Sequence, residues 1–427
     1  MPVAVVRPSC LRGSLALPPS KSHTMRSIAL AAMAHGTSTI YEPLLSPDTE
    51  AMIRVITALG ACVEHAPASL CVKGIGGAFG SLFQPSVDVG NSGLALRFGT
   101  ALCSLCRDPI VITGDSSIRT SRPLGALVHA LQQLGLEASY LGTPGFAPLR
   151  MQGPIHSGSC VVDGHDSQPV SALLLTLPFI RGSSLIRVEE MGERPWLAMT
   201  LSALRSLGVS IEQRQDSVFS IPGNQRISGF SRCIPKDASS LAFPLVAGLM
   251  TDSEVQIHGV PFNDVQHDIV IIDYVRRMGG VVDCAGDCLT VRGPQDLHGI
   301  DIDINEAVDA LPILSVLATK ARGKTRLFNG AVCRQKESDR IHVMAETLQQ
   351  MGASITEHAD GLTIYESPLR GASVSCCADH RIAMALSVAA LSADGMTVVH
   401  GVECVAKSFP QFFSMLRALG GDVEVAL

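Results

Sequence analysis

Eight basic side chains stand where helices are expected to begin. Lys21 and Arg26 follow Ser20, Arg119 and Arg122 precede Pro123, and Lys336 and Arg340 open the stretch that ends at Gly352. Arg381 follows Asp379, and Lys407 stands just ahead of the 409–419 stretch. A helix N-terminus carries about half a positive charge, so stability alone would place cations at the other end. Positive helix ends with added cations suit an anion of several charges, such as a phosphate or carboxylate. Ser22 and Arg26 are four apart, as are Lys336 and Arg340, which places each pair on one helical face, able to grip one such group. For any single residue a solvated face with a compensating acid is the plainer explanation, since surface ion pairs are common and weak. Eight together are harder to explain that way.

Acids are interleaved with these cations: Asp309, and Glu337 and Asp339 within KESDR. A carboxylate beside several cations stays ionised and can take a proton, while one shielded from water can hold a proton and give it up. Charge balance for the cations is the plain alternative. Two other motifs carry less. Cys103-Ser-Leu-Cys106 is a single CxxC without the second pair of a zinc site, and reads as core packing. The 318–325 segment, ATKARGKT, fits a permissive phosphate-loop pattern, which requires a strand before the loop and a helix after it. Here a buried helix precedes and a strand follows, so an ATP-dependent kinase is set aside.

The elements that must position these groups repeat. Six amphipathic stretches end in Leu-Gly or Met-Gly, at Gly60, Gly135, Gly208, Gly279, Gly352 and Gly420, with intervals of 75, 73, 71, 73 and 68. Glycine past a helix end lets the backbone turn left-handed. A second marker has the same period: Ser20, Asn91, Asp166, Asp237, Asp309 and Asp379 each open a stretch that is apolar nearly all round, at intervals of 71, 75, 71, 72 and 70. Such residues cap helices, and a helix apolar on every face has to be buried. A period near 70 implies six copies of one unit, each with a buried helix, an amphipathic helix and short strands, three to a half, with the seam near 232–236.

Length and composition agree with two cores: 427 residues, 46% of them apolar, exceed what one core holds. A net charge of −6 and 4% aromatics argue against a nucleic-acid binder. No leader pattern or membrane-spanning run is visible, and thirteen scattered cysteines read as reduced thiols, so a cytosolic protein is expected.

In order along the chain, LPPSKSHTMRS, GNSGLALRF, RTSRPLG, DSQPVSALL, DASS, KESDR, DHRIAMA and AKSFP resemble the motifs of the 5-enolpyruvylshikimate-3-phosphate synthases, within the enolpyruvyl transferases. The resemblance runs from about Leu17 to Pro410. It implies an α/β fold, a two-domain inside-out α/β barrel of six βαβαββ repeats. The N-terminal domain would be 20–233 and the C-terminal domain 1–19 plus 234–427, with the active site in the cleft between them. It implies transfer of the enolpyruvyl group of phosphoenolpyruvate to the 5-hydroxyl of shikimate 3-phosphate, by addition and elimination through a tetrahedral adduct. No cofactor or metal is implied, and a monomer without nucleic-acid or membrane partners.

Matched residue by residue, Lys21, Gly93, Arg122, Gln168, Arg340, Arg381 and Lys407 resemble the phosphoenolpyruvate contacts. Lys21, Ser22, Arg26, Ser167, Gln168, Asp309 and Lys336 resemble those that hold shikimate 3-phosphate. Asp309 and Glu337 match the catalytic acids, with Lys21 and Lys407 stabilising the departing phosphate. Five residues depart from the pattern. Asp166 stands for a serine and would repel a phosphate unless it turns away or pairs with a cation. Glu193 replaces a serine, Trp196 a tyrosine, and Leu94 and Phe98 a threonine and a proline around Arg97. The sister transferases that act on a UDP-amino sugar carry a reactive cysteine in the loop before their RP motif, and Thr113 to Arg122 contains none. An inactive phosphometabolite sensor is opposed by the retained Asp309, Glu337 and both lysines.

Overall fold

All six marker glycines have left-handed backbones: φ is 100° at Gly60, 95° at Gly135, 78° at Gly208, 89° at Gly279, 92° at Gly352 and 97° at Gly420. Any side chain would strain these positions, so each amphipathic helix hands over to a strand on glycine. The structure, a computed structural model, describes residues 2–77 and 84–426. The chain divides into two units of mixed α/β content, Pro19–Pro235 and Met1–Pro18 with Lys236–Leu427.

Within Pro19–Pro235, three four-stranded sheets share one topology, with the first two strands parallel and the remaining two added antiparallel. In order across each sheet they are Ser231–Cys233, Thr37–Tyr41, Ser69–Lys73, Cys62–Ala66; then Ser86–Asp88, Ile110–Thr113, Leu149–Gln152, Glu137–Tyr140; then Ser159–Asp163, Ser184–Glu189, Val218–Ile221, Glu212–Gln215. A parallel pair needs a crossover. Gly93–Cys103 supplies it in the second sheet and Ser167–Thr176 in the third.

The same pattern occurs in the other unit. Its sheets are Arg12–Ala16, Glu254–His258, Cys288–Arg292, Val282–Ala285; then Asp301–Asp303, Lys324–Phe328, Gly361–Tyr365, Ser354–His358; then Ser373–Ser375, Thr397–His400, Val3–Val6, Val423–Ala426. The first two strands of the chain thus complete sheets whose other strands lie far along the sequence.

The crossover helices are the cores. Ala238–Met250 is buried except at Ser239, and Leu311–Ala318 and His380–Leu391 are buried throughout. Enclosing each Leu or Ile there contributes about 1.5–3 kcal/mol. Polar residues gather at the helix starts. Ser20 accepts from the His23 amide, Asp166 from that of Gln168 and Asp379 from that of Arg381.

Three expected caps differ. Ser92, not Asn91, caps Gly93–Cys103. Asp237 accepts from the Ser239 and Ser240 hydroxyls, while the Ala238 amide donates to Gln266. Asp309 caps nothing: Pro312 in the first turn fixes the helix start at Leu311, so Asp309 falls in the preceding 3-10 turn Val308–Ala310. Helix Leu311–Ala318 before the phosphate-loop look-alike and strand Lys324–Phe328 after it exclude that loop's geometry. Cys103 and Cys106 are buried, and burial pushes the Cys106 thiol up to about 11, as suits packing groups.

Candidate active site

In the unit formed by Met1–Pro18 and Lys236–Leu427, one guanidinium organises three acids. Arg340, the first residue of helix Arg340–Gln350, is 1% exposed. Its Nη1 donates to Asp309 Oδ1 at 2.7 Å, Nη2 to Glu337 Oε2 at 2.9 Å and Nε to Asp379 Oδ2 at 2.8 Å. Each of the first two acids has a second cation. Arg381 Nη2 donates to Asp309 Oδ2 at 2.9 Å and to Ser239 Oγ at 2.9 Å, and Lys407 Nζ donates to Glu337 Oε1 at 3.0 Å. Burial works to raise the Asp309 carboxyl, but Arg381, Arg340 and Lys336 hold it well below the usual carboxylate range. Burial likewise disfavours the charge on Arg340, and Asp379, Glu337 and Asp309 overcome that and raise its pKa. Asp309 is therefore a fixed anion, able to accept a hydrogen bond and orient a hydroxyl.

Glu337, Asp379 and His380 present possible metal-ligand atoms within 4.8 Å of one another. Arg340 donates to both carboxylates and Lys407 to Glu337. The positive charge a divalent ion would bring is already supplied there by side chains.

In Pro19–Pro235 the cations are held differently. Arg26 lies in helix Lys21–Met33, 2% exposed, with Nε donating to Thr200 Oγ1 at 2.8 Å, Nη2 to the Trp196 carbonyl at 3.1 Å and Nη1 to the Ser22 carbonyl at 3.2 Å. Its acceptors are all neutral, and burial lowers its pKa to about 10. Phe98 lies beneath it, 5.6 Å from the guanidinium carbon to the ring centre. Arg97 donates to the carbonyls of Gly93 and Pro123 and sits 3.5 Å from Asp166. Asp166 thus pairs with a cation, one of the two outcomes its place in the motif allows. Gly93 has a steric reason: a Cβ there would lie 2.8 Å from Arg97 Nη1 and 3.2 Å from Arg122 Cζ. Lys21 pairs with the buried Asp48 at 3.1 Å. Glu193, 2% exposed and held at φ 44°, accepts from both the amide (3.0 Å) and hydroxyl (3.1 Å) of Ser167. Gln168 Oε1 is buried and accepts no hydrogen bond among the described residues.

One sequence expectation fails locally. Lys336 precedes helix Arg340–Gln350 and follows the 3-10 turn Ala331–Gln335, so it shares no helical face with Arg340. The acid in between, Glu337, is the ion-pair partner. Arg119 is exposed and donates to the Gly114 carbonyl and the Thr113 hydroxyl. Sequence reasoning missed Asp379 as a partner of Arg340, Asp48 as the partner of Lys21, and Asp268. Burial and the nearby Asp309 charge push Asp268 up to about 8.

The profile of the EPSP synthase (3-phosphoshikimate 1-carboxyvinyltransferase) family matches residues 5–416. The 3-phosphoshikimate 1-carboxyvinyltransferase of Chlamydia caviae is 38% identical over 424 residues, 98% of this chain and 94% of that protein. That of Acetivibrio thermocellus is 38% identical over 419 residues, 98% of each. Among solved structures, an EPSP synthase from Acinetobacter baumannii superposes with a TM-score of 0.81 at 28% identity over the full length of both chains.

Proposed function

The chain belongs to the EPSP synthase family and transfers the enolpyruvyl group of phosphoenolpyruvate to shikimate 3-phosphate, a step of the shikimate pathway to aromatic amino acids, and from that premise we propose how its residues divide the work. Lys21, Gly93, Arg122, Gln168, Arg340, Arg381 and Lys407 receive phosphoenolpyruvate. Lys21, Ser22, Arg26, Ser167, Gln168, Asp309 and Lys336 receive shikimate 3-phosphate. The observation that carries this reading is the bridge: one guanidinium joins Asp309 to Glu337, and each acid keeps a second cation of its own.

Asp309 orients the 5-hydroxyl and, as the anionic substrate draws its cations away and restores its basicity, takes that proton while the oxygen attacks the central carbon of phosphoenolpyruvate. The anionic substrate draws Arg340 and Lys407 toward itself. A carboxylate relieved of cations takes up a proton more readily. Glu337 then protonates the methylene carbon, and a tetrahedral adduct results. Lys21, Lys407 and the arginines stabilise phosphate as the C–O bond breaks and it leaves with the proton that Asp309 took from the hydroxyl, and return of a methyl proton to Glu337 restores the double bond. In this reading fixed cations do the neutralising, without cofactor or metal. We propose further that the six sheets are copies of one βαβαββ unit in a two-domain inside-out α/β barrel, with domains 20–233 and 1–19 plus 234–427, working as a monomer in the cytoplasm.

Phosphate release from phosphoenolpyruvate, measured with either acceptor in excess chelator, tests the assignment. It should require shikimate 3-phosphate. Equal or faster turnover with a UDP-amino sugar, or loss of activity in chelator, would overturn it.

A further inference from the structure

Two thiols meet between segments that carry the proposed chemistry. Cys376 lies three residues before Asp379, and Cys404 lies in the 3-10 turn Val402–Lys407, three residues before Lys407. Their sulfurs are 3.8 Å apart, and both reach the Gly401 carbonyl, at 3.1 and 3.2 Å. Cys376 is buried and Cys404 half-buried, so a reagent from solvent meets Cys404 first. The contact between them divides their acidity. The contact with Cys404 lowers the pKa of Cys376, while the same contact and then burial push Cys404 up. The connection to Asp379 is also constrained, with left-handed φ of 50° at Cys377 and 56° at Ala378.

We propose that Cys376 and Cys404 are a dithiol site that forms a reversible disulfide, with a small-molecule disulfide of the glutathione class as oxidant. The Cys404 thiolate attacks one sulfur of the oxidant, releasing one small thiol and leaving a mixed disulfide. Its raised pKa makes this the slow step. The Cys376 thiolate then attacks Cys404 and expels the second small thiol. Two protein S–H bonds and the oxidant's S–S bond are lost; one protein S–S bond and two small-molecule S–H bonds form. Two electrons pass to the oxidant.

Bonding contracts the sulfur separation from 3.8 Å to about 2.05 Å, and side-chain rotation and the two backbone segments share the difference. Lys407 Nζ on Glu337 and Asp379 on Arg340 ride on those segments. Ångström-scale misplacement of reacting groups can cost orders of magnitude in rate. This effect on turnover rests on the roles proposed above for Lys407 and Glu337; the linkage itself does not.

The full chain is treated with oxidised glutathione, alkylated and mapped by mass spectrometry, with kcat followed in parallel. A peptide joining Cys376 to Cys404 should appear as kcat falls about tenfold or more, and dithiothreitol should reverse both. Cys376→Ser should stop at glutathione attached to Cys404, and Cys404→Ser should keep its kcat through the treatment. Glutathione on the exposed Cys377 with no 376–404 linkage would overturn the proposal. Linkage without loss of kcat would overturn the coupling to Lys407, whereas the transferase reading is judged separately, by turnover before treatment.

Discussion

Arg26 and Arg340 are buried alike, at 2% and 1% exposure, and are held in opposite ways. Arg340 donates to Asp309, Glu337 and Asp379, and their charges raise its pKa. Arg26 donates to a threonine hydroxyl and two carbonyls, with no carboxylate paired to it among the described residues, and burial lowers its pKa. A buried cation without a counter-charge is costly, and it is a ready receptor for an anion. A buried cation among three acids is a scaffold that orients them. Burial alone therefore does not separate a binding arginine from a positioning one; the charge of its acceptors does.

The contrast predicts different failures. Arg340→Met leaves the fully buried Asp379 without its arginine and takes one of two cations from Asp309 and from Glu337, and should cost about 3–5 kcal/mol in urea unfolding together with all turnover. A loss under 1 kcal/mol would mean the acids do not depend on it. Glu337→Gln keeps size and much of the hydrogen bonding but cannot exchange a proton. Its kcat should fall by about 10²- to 10⁴-fold while shikimate 3-phosphate still binds in calorimetry. Near-native kcat would return Glu337 to a charge-balancing role.

Asp268 sharpens the contrast from the acid side. Its pKa, raised to about 8 by burial and the Asp309 charge, makes the folded state hold a proton that the unfolded chain releases near pH 4. Its contribution to stability is full below about pH 4 and lost as pH rises toward 8. Urea midpoints of Asp268→Asn relative to the unsubstituted chain should climb from pH 5 to pH 8; parallel profiles would remove Asp268 from the account. A smaller effect is expected of Glu193→Ser. Glu193 already occupies both Ser167 donors, and removing a carboxylate from the proposed phosphate position should lower the KM for shikimate 3-phosphate by about 3- to 10-fold, one hydrogen-bond equivalent. An unchanged or higher KM would show that Glu193 does not compete there.

What was legible in the sequence follows from range. The six marker glycines and the all-apolar helices are local signals, and the helix ends fall where glycine permits a left-handed turn. The cap on Gly93–Cys103 falls one residue past the expected Asn91, because Asn91 and Ser92 are both good caps and only the backbone decides between them. Asp309 stands where its spacing predicts a cap, but Pro312 sets the helix start at Leu311, and the Asp309 side chain lies among the cations that suit the role its motif implied. Lys336 and Arg340 obeyed helical spacing without sharing a helix. Asp379 with Arg340, Asp48 with Lys21 and Glu193 with Ser167 are separated by 39, 27 and 26 residues. No periodicity reports such pairs, because tertiary packing makes them.

The most direct test of this division is calorimetric titration of shikimate 3-phosphate into Arg26→Met, with the melting temperature recorded alongside. Losing a charged donor aimed at an anion should raise Kd by about 10- to 100-fold. The melting temperature should hold or rise, because an unpaired buried charge has gone. Unchanged affinity, or a fall in melting temperature like that expected of Arg340→Met, would contradict the claim that one buried arginine binds substrate while the other positions the acids.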